Sequence, residues 1–224
     1  MYARNMDKKK RQKEVAALIV FGVLGSVALS SVVSFQSIRG GVAQRFYDWG
    51  IKYKAMGWPK GSRSAFDLVD FIAHETPLAE KARRYRDTKL PRYDVSPEAV
   101  QLNIYGYRLV HVDKNYDQAE KVFLECIRLY PHFEWPYSNL SGVYQEQKRY
   151  ADAEKFGLGA ININPSYVNA LVGLAYTKHM QGDFPASREY INRALENDPT
   201  DQSAIDYRAW LNQEQHAATQ NTSK

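Results

Sequence analysis

Residues 134–167 read EWPYSNLSGVYQEQKRYADAEKFGLGAININPSY, and the same pattern stands on both sides of them. Residues 100–133 read VQLNIYGYRLVHVDKNYDQAEKVFLECIRLYPHF, and residues 168–201 read VNALVGLAYTKHMQGDFPASREYINRALENDPTD. Each unit is 34 residues long and places a proline at position 32: Pro131, Pro165 and Pro199. Position 17 is aromatic (Tyr116, Tyr150, Phe184), position 20 is small (Ala119, Ala153, Ser187) and position 27 is small (Cys126, Ala160, Ala194). Position 7 or 8 is small as well: Gly106, Ser141, Ala175. Two short antiparallel helices approach closely only where their crossing carries small side chains, and a neighbouring aromatic fills the groove beside it. Proline has no amide donor and closes the second helix. A fixed period of this length marks stacked helical units, each burying its apolar face against its neighbours.

The spacing predicts helices over 98–112, 115–129, 134–146, 150–163, 167–180 and 184–197, with a closing helix over 201–215. Ser96-Pro97 and Asp183-Phe184-Pro185 read as caps followed by proline at the helix start. In the closing helix Ile205, Ala209 and Leu211 are expected to face the last repeat, and Asp206, Arg208 and Glu214 to face water. Residues 216–224 read as a frayed polar tail.

Together these positions resemble the tetratricopeptide repeat family over roughly residues 96–215. The sequence departs from the family at Asn103 and Gly157, where large side chains are usual, and at Val110 and Lys178, where tyrosine is common. The resemblance implies an all-α fold: a right-handed α-solenoid of three helix pairs (100–133, 134–167, 168–201) plus the closing helix. It also implies that the first helix of each pair lines a concave binding face through positions 2, 5, 9 and 12. Those positions are Gln101, Ile104, Arg108 and His111, then Trp135, Ser138, Gly142 and Gln145, then Asn169, Val172, Tyr176 and His179, with Asp206 and Trp210 added by the closing helix. Trp135 and Trp210 suit packing as well as they suit the groove. Such a face fits a short peptide or a helix of a partner. Family members that clamp acidic chaperone tails carry, in order, lysine, asparagine, asparagine, lysine and arginine where this chain has Ile104, Arg108, Asn139, Asn169 and Gly173; only Asn139 matches, which argues against that subtype.

Upstream, Val15 to Val33 is an uncharged run of 19 residues. As a helix it spans roughly 28 Å, the hydrocarbon thickness of a bilayer. The basic tail 1–14 precedes it, so residues 15–35 are expected to be a single transmembrane helix with the N-terminus cytoplasmic. A bacterial inner membrane with the repeats in the periplasm, or an organellar inner membrane such as the mitochondrial one, fits this orientation. The alternative is a cleaved signal peptide with a site near Ala28-Leu29-Ser30. Residues 36–95 read as a basic, aromatic helical linker. Arg45, Phe46, Trp49, Tyr53 and Trp58 suit a membrane interface, packing on the repeats or docking on a neighbouring subunit. Gly57 to Ser62 marks a break, and helices over 65–74 and 77–87 form a capping hairpin. Charge divides accordingly: 18 basic against 9 acidic residues over 1–95, and 12 against 16 over 96–224.

No residue set carries catalysis. Cys126 stands alone at a crossing position. His111 and His179 share position 12 two layers apart, about 20 Å at roughly 10 Å per layer, too far to share a metal. No cofactor, nucleic acid or small-molecule substrate is expected. The expected partners are membrane lipid and the protein subunits of a membrane complex, of which this chain would be an accessory subunit or assembly factor. A transient receptor or chaperone adaptor is the alternative in the same class.

Overall fold

A computed structural model describes residues 32–222 of the chain. Among the described residues there are ten helices and no strand. They are α1 (Val32–Ala55), α2 (Pro59–Ile72), α3 (Pro77–Lys89), α4 (Pro97–His111), α5 (Tyr116–Leu129), α6 (Glu134–Glu146), α7 (Tyr150–Ile163), α8 (Val168–Met180), α9 (Phe184–Asn197) and α10 (Gln202–Thr222).

The 34-residue period is written into the backbone. Each second helix ends with the same bond, from Tyr130, Asn164 and Asp198 N–H to Cys126, Ala160 and Ala194 C=O, at 2.8–2.9 Å. Three residues on, Phe133, Tyr167 and Asp201 donate to the carbonyls of Tyr130, Asn164 and Asp198. The turns inside the pairs repeat as well. Lys114, Lys148 and Gly182 are left-handed, with φ of 51°, 58° and 80°. Only glycine adopts that conformation freely, so two of the three turns carry local strain. Side-chain caps start many of the helices: Thr76, Ser96, Asn115 and Asp183 accept from the N–H three residues on.

The small positions do what their spacing predicts. A Cβ added to Gly106 would stand 2.6 Å from the Phe123 ring, so α4 and α5 cross at that glycine. Ala119, Ala153, Ser187, Cys126, Ala160 and Ala194 are buried at the other crossings. The departures have local reasons. Gly157 leaves room for Leu174 of α8, whose Cδ2 would be 2.8 Å from an added Cβ. Asn103 is buried in α4 and accepts a 2.9 Å bond from Asn139 Nδ2 of α6. The aromatic at position 17 is less uniform, because Phe184 of the last pair stays half exposed. In α10 the residues turned inward are Ala204 and Leu211, with Ile205 half buried, while Ala209 is exposed, contrary to expectation. The helical period puts 204 and 211 on one stripe and 209 off it. No glycine or proline interrupts α10, and it runs through Thr222, past the 215 at which the sequence reading closes the array.

α1, α2 and α3 form a separate bundle around Ala43, Tyr47, Phe66, Val69, Ile72, Ala79, Ala82 and Leu90. Gly50 admits the Phe66 ring, 2.7 Å from an added Cβ, and Ser62 Oγ donates to the Gly50 carbonyl at 2.6 Å. The break lies only at Met56–Trp58, with Gly57 left-handed, since α2 already begins at Pro59.

The expectation of a single-pass membrane protein is overturned. No helix among the described residues is long and apolar enough to cross a membrane. α1 takes in the last residues of the uncharged run, continues through Arg39, Arg45, Asp48, Lys52 and Lys54, and buries Ala43 and Tyr47 in the bundle core. Part of its apolar stripe thus finds a partner in protein, while Trp49 remains exposed. The placement in a bacterial or organellar inner membrane falls with that finding. The basic tail 1–14, residues 15–31 of the uncharged run and the alternative cleavage site lie outside the described residues.

Candidate functional site

The first helices touch neighbour to neighbour, α4 with α6, α6 with α8 and α8 with α10. The second helices α5, α7 and α9 make no comparable contact with one another. A row of pairs that closes on one side and spreads on the other curves toward the closed side. The first helices therefore line the inner face, and the residues at position 9 run along it as Arg108, Gly142, Tyr176 and Trp210. Arg108, Tyr176 and Trp210 are exposed, and a Cβ added to Gly142 would meet nothing within 4 Å. The row thus presents a cation, a gap and two aromatics in order.

The other expected contact residues divide into three groups. Some remain on the open surface near the C-terminal ends of the first helices. His111 is exposed and stacks on Tyr107 with ring centroids 4.0 Å apart. His179, by contrast, is largely covered: its side chain is 10% exposed and lies between Phe184 and Trp210, 5.2 and 4.7 Å away, with Nε2 3.5 Å from Glu214. Met180, which the position rule does not pick out, is exposed beside it. A second group is engaged inside the array. Gln145 Nε2 donates to the Gly173 carbonyl and to Thr177 Oγ1, both at 2.9 Å, tying α6 to α8. Trp135 is half buried, stacks on Phe133 at 5.5 Å and packs against Ala160, Tyr167 and Ala170. Ser138 and Val172 are half buried.

The third group lies near the N-terminal ends of the first helices, where the α1–α3 bundle comes down. Gln101 and Ile104 adjoin the α1–α2 turn: a Cβ on Gly57 would be 3.0 Å from Ile104 Cδ1 and 3.8 Å from Gln101 Nε2. Asn169 is exposed, with Nδ2 3.5 Å from the Tyr167 hydroxyl. Beside them is a polar node that sequence reasoning missed. Glu134 is buried at the start of α6, and its Oε1 accepts from Asn164 Nδ2 and the Arg92 N–H, both at 2.8 Å. Burial raises its carboxyl above the usual range, against the lowering effect of those bonds. Burial, with Glu134 nearby, also raises the Tyr167 phenol. Lys89 at the end of α3 is ion-paired to Asp201 and lies 3.8 Å from Asp198. No spacing rule points from residue 89 to residue 201.

The aromatics assigned to a membrane interface pack on one another. Phe46 and Trp49 meet edge to face at 5.2 Å, and Tyr53 and Trp58 at 4.8 Å. Trp58 lies across Gly61, Phe46 packs on the bundle core, and Arg45 is exposed. Among the described residues no group of three or more His, Cys, Asp or Glu is placed to hold a metal. Burial pushes the Cys126 thiol up to about 11, the reverse of what a nucleophile needs.

Solved structures share this arrangement. The first tetratricopeptide repeat domain of Spaghetti (RPAP3), bound to the HSP90 peptide SRMEEVD, is 21% identical and covers 56% of this chain and 98% of its own, with a TM-score of 0.50. The fold is that of a tetratricopeptide repeat domain. The first such domain of human RPAP3 matches at 21% identity over 56% of this chain and 97% of its own, TM-score 0.50. The Sgt2 tetratricopeptide repeat domain from Aspergillus fumigatus matches at 16% identity over 56% of this chain and 83% of its own, TM-score 0.52. No family model and no curated protein matches the chain.

Proposed function

We propose that the chain is a non-enzymatic protein-interaction module that holds one segment of a partner, a short peptide or a single helix, along the C-terminal halves of α4, α6, α8 and α10. The observation that carries this reading is the position-9 row, with Arg108, Tyr176 and Trp210 exposed on either side of the space over Gly142. Exposed aromatics and arginine anchor protein contacts at low entropic cost, and a residue without a side chain leaves room for one from the partner.

Within this class the favoured form is an accessory subunit or assembly factor of a larger protein complex. Spaghetti holds the acidic peptide SRMEEVD. A carboxylate-rich tail needs several converging donors. Here Ile104 is apolar and lies by the α1–α2 turn, Asn139 is committed to Asn103, and Gly173 has no side chain. That leaves Arg108 as the one cation among the clamp positions.

The test is capture of partners from the native source with the full chain as bait. The reading expects a partner at constant stoichiometry, lost from the Arg108→Glu/Tyr176→Asp variant. Ile104 is a poor site for such a change, because it also meets the bundle. Retention of every partner by the double variant would remove the inner face as the binding surface.

A further inference from the structure

The bundle of α1–α3 and the segment after it run along the edge at which the first helices begin and touch α4, α6, α8 and the turn ahead of α10. Its Gly57 turn lies on Val100 and Ile104 of α4. The N–H of Arg92, three residues past α3, donates to Glu134 at the start of α6. α3 packs beside α8. At the far end Lys89 reaches Asp201 and Asp198, just ahead of α10, joining residues 112 positions apart. The side chains of Lys89, Asp198 and Asp201 are 15%, 9% and 12% exposed.

We propose that the α1–α3 bundle is a built-in partial cover at the N-terminal edge of the inner face, latched by Lys89 on Asp198 and Asp201, and that release of the latch opens that edge to a partner. The proposal rests on the inner face being the binding surface. The bundle has its own core around Phe66 and Val69, apart from the clusters that hold the array. Across the gap between them stand the apolar touch of the Gly57 turn on Val100 and Ile104, the Lys89 triad and the Arg92 bond to Glu134, while Arg63, whose guanidinium donates to the Pro91 carbonyl, braces the connecting segment. Such an interface separates as a unit, because two cores survive its loss. A buried lysine between two carboxylates fixes one docked geometry and is lost abruptly when one partner is removed. Released, the Gly57 turn leaves the flank of Ile104 and Gln101, both already part exposed, and a partner can extend past them along the N-terminal ends of the first helices.

Hydrogen exchange on the full chain, with no partner present, tests this. Lys89→Met keeps the stem and removes the charge. The expected result is at least a tenfold faster exchange at the Arg92 amide and through α1–α3, with the amides of α7 and α9 unchanged. Asp201→Asn, with Asp198 retained, is expected to act in the same direction and replaces the first variant should it not fold. Unchanged exchange in the bundle overturns the latch. So does a uniform rise across all helices, which would make Lys89 a contributor to global stability only. Selective loss of protection together with partner retention by the Arg108→Glu/Tyr176→Asp variant would keep the latch and refute the groove.

Discussion

The Asn103–Asn139 pair gives a sharp test of the inner-helix packing. Asn103 occupies a position where the repeat pattern favours a large apolar residue, and it is 4% exposed. Its Oδ1 accepts from Asn139 Nδ2 at 2.9 Å, while Asn139 itself is half buried. The two sides are therefore unequal. Asn139→Ala strips the donor from an acceptor that water cannot reach, and an unsatisfied buried polar group costs about 1–3 kcal/mol. Asn103→Leu removes that acceptor and adds apolar burial, while the half-exposed Asn139 amide turns to solvent. It is expected to be neutral within about 0.5 kcal/mol or to stabilise. In the double variant the penalty of Asn139→Ala largely disappears, so the coupling energy is at least about 1 kcal/mol. Urea unfolding of the four proteins reads this directly. In a melt the single Asn139→Ala variant falls by about 2–4 °C per kcal/mol for a chain of this size. Additive costs, or a loss from Asn103→Leu larger than that from Asn139→Ala, would refute the reasoning.

Further outcomes follow from other residues. Burial raises the Glu134 carboxyl above its ordinary value of 4.5, so ionising it costs folding energy. The folded state binds the proton more tightly than the unfolded one, and stability falls as pH rises from 4.5 through the folded value. Glu134→Gln removes this slope: unfolding measured from pH 4 to 8 should show the variant gaining on the parent as pH rises, and parallel curves would contradict the assignment. Lys148→Gly relieves a left-handed backbone and should stabilise by up to about 1 kcal/mol, whereas Gly182→Ala should cost about that amount in the same denaturation assay; the opposite order would refute the strain argument. Titration calorimetry with the peptide SRMEEVD should give no binding tighter than about 1 mM, and a micromolar isotherm would restore the chaperone-tail reading.

The array was legible because its signals are local and repeated. Three prolines 34 residues apart and three small crossing positions constrain six helices at once, and Gly106 against Phe123 shows why such residues recur. Position 15, where Lys114, Lys148 and Gly182 share the left-handed turn, was silent because only one of the three is glycine. The candidate face was legible by position but not by availability. Gln145 and Trp135 occupy groove positions, yet their polar atoms and rings are spent on neighbouring helices. The bundle was legible only as helices that pack on and cap the repeats, and the contacts by which it docks were not. Its contacts with the array include Lys89 with Asp201 and Arg92 with Glu134, single contacts between distant residues that leave no periodic trace. The membrane expectation failed for a related reason: hydropathy marks an apolar run without saying where its flank goes, and α1, which begins at Val32, packs its Ala43 and Tyr47 on protein.

The most direct measurement of the central claim is site-specific photo-crosslinking with a benzophenone residue in place of Tyr176 on the inner face or Leu158 on α7, both exposed and each in the full chain. Irradiated in a native extract, the chain labelled at 176 is expected to form one discrete adduct, and the chain labelled at 158 none. An adduct at 158 with none at 176 would contradict the account.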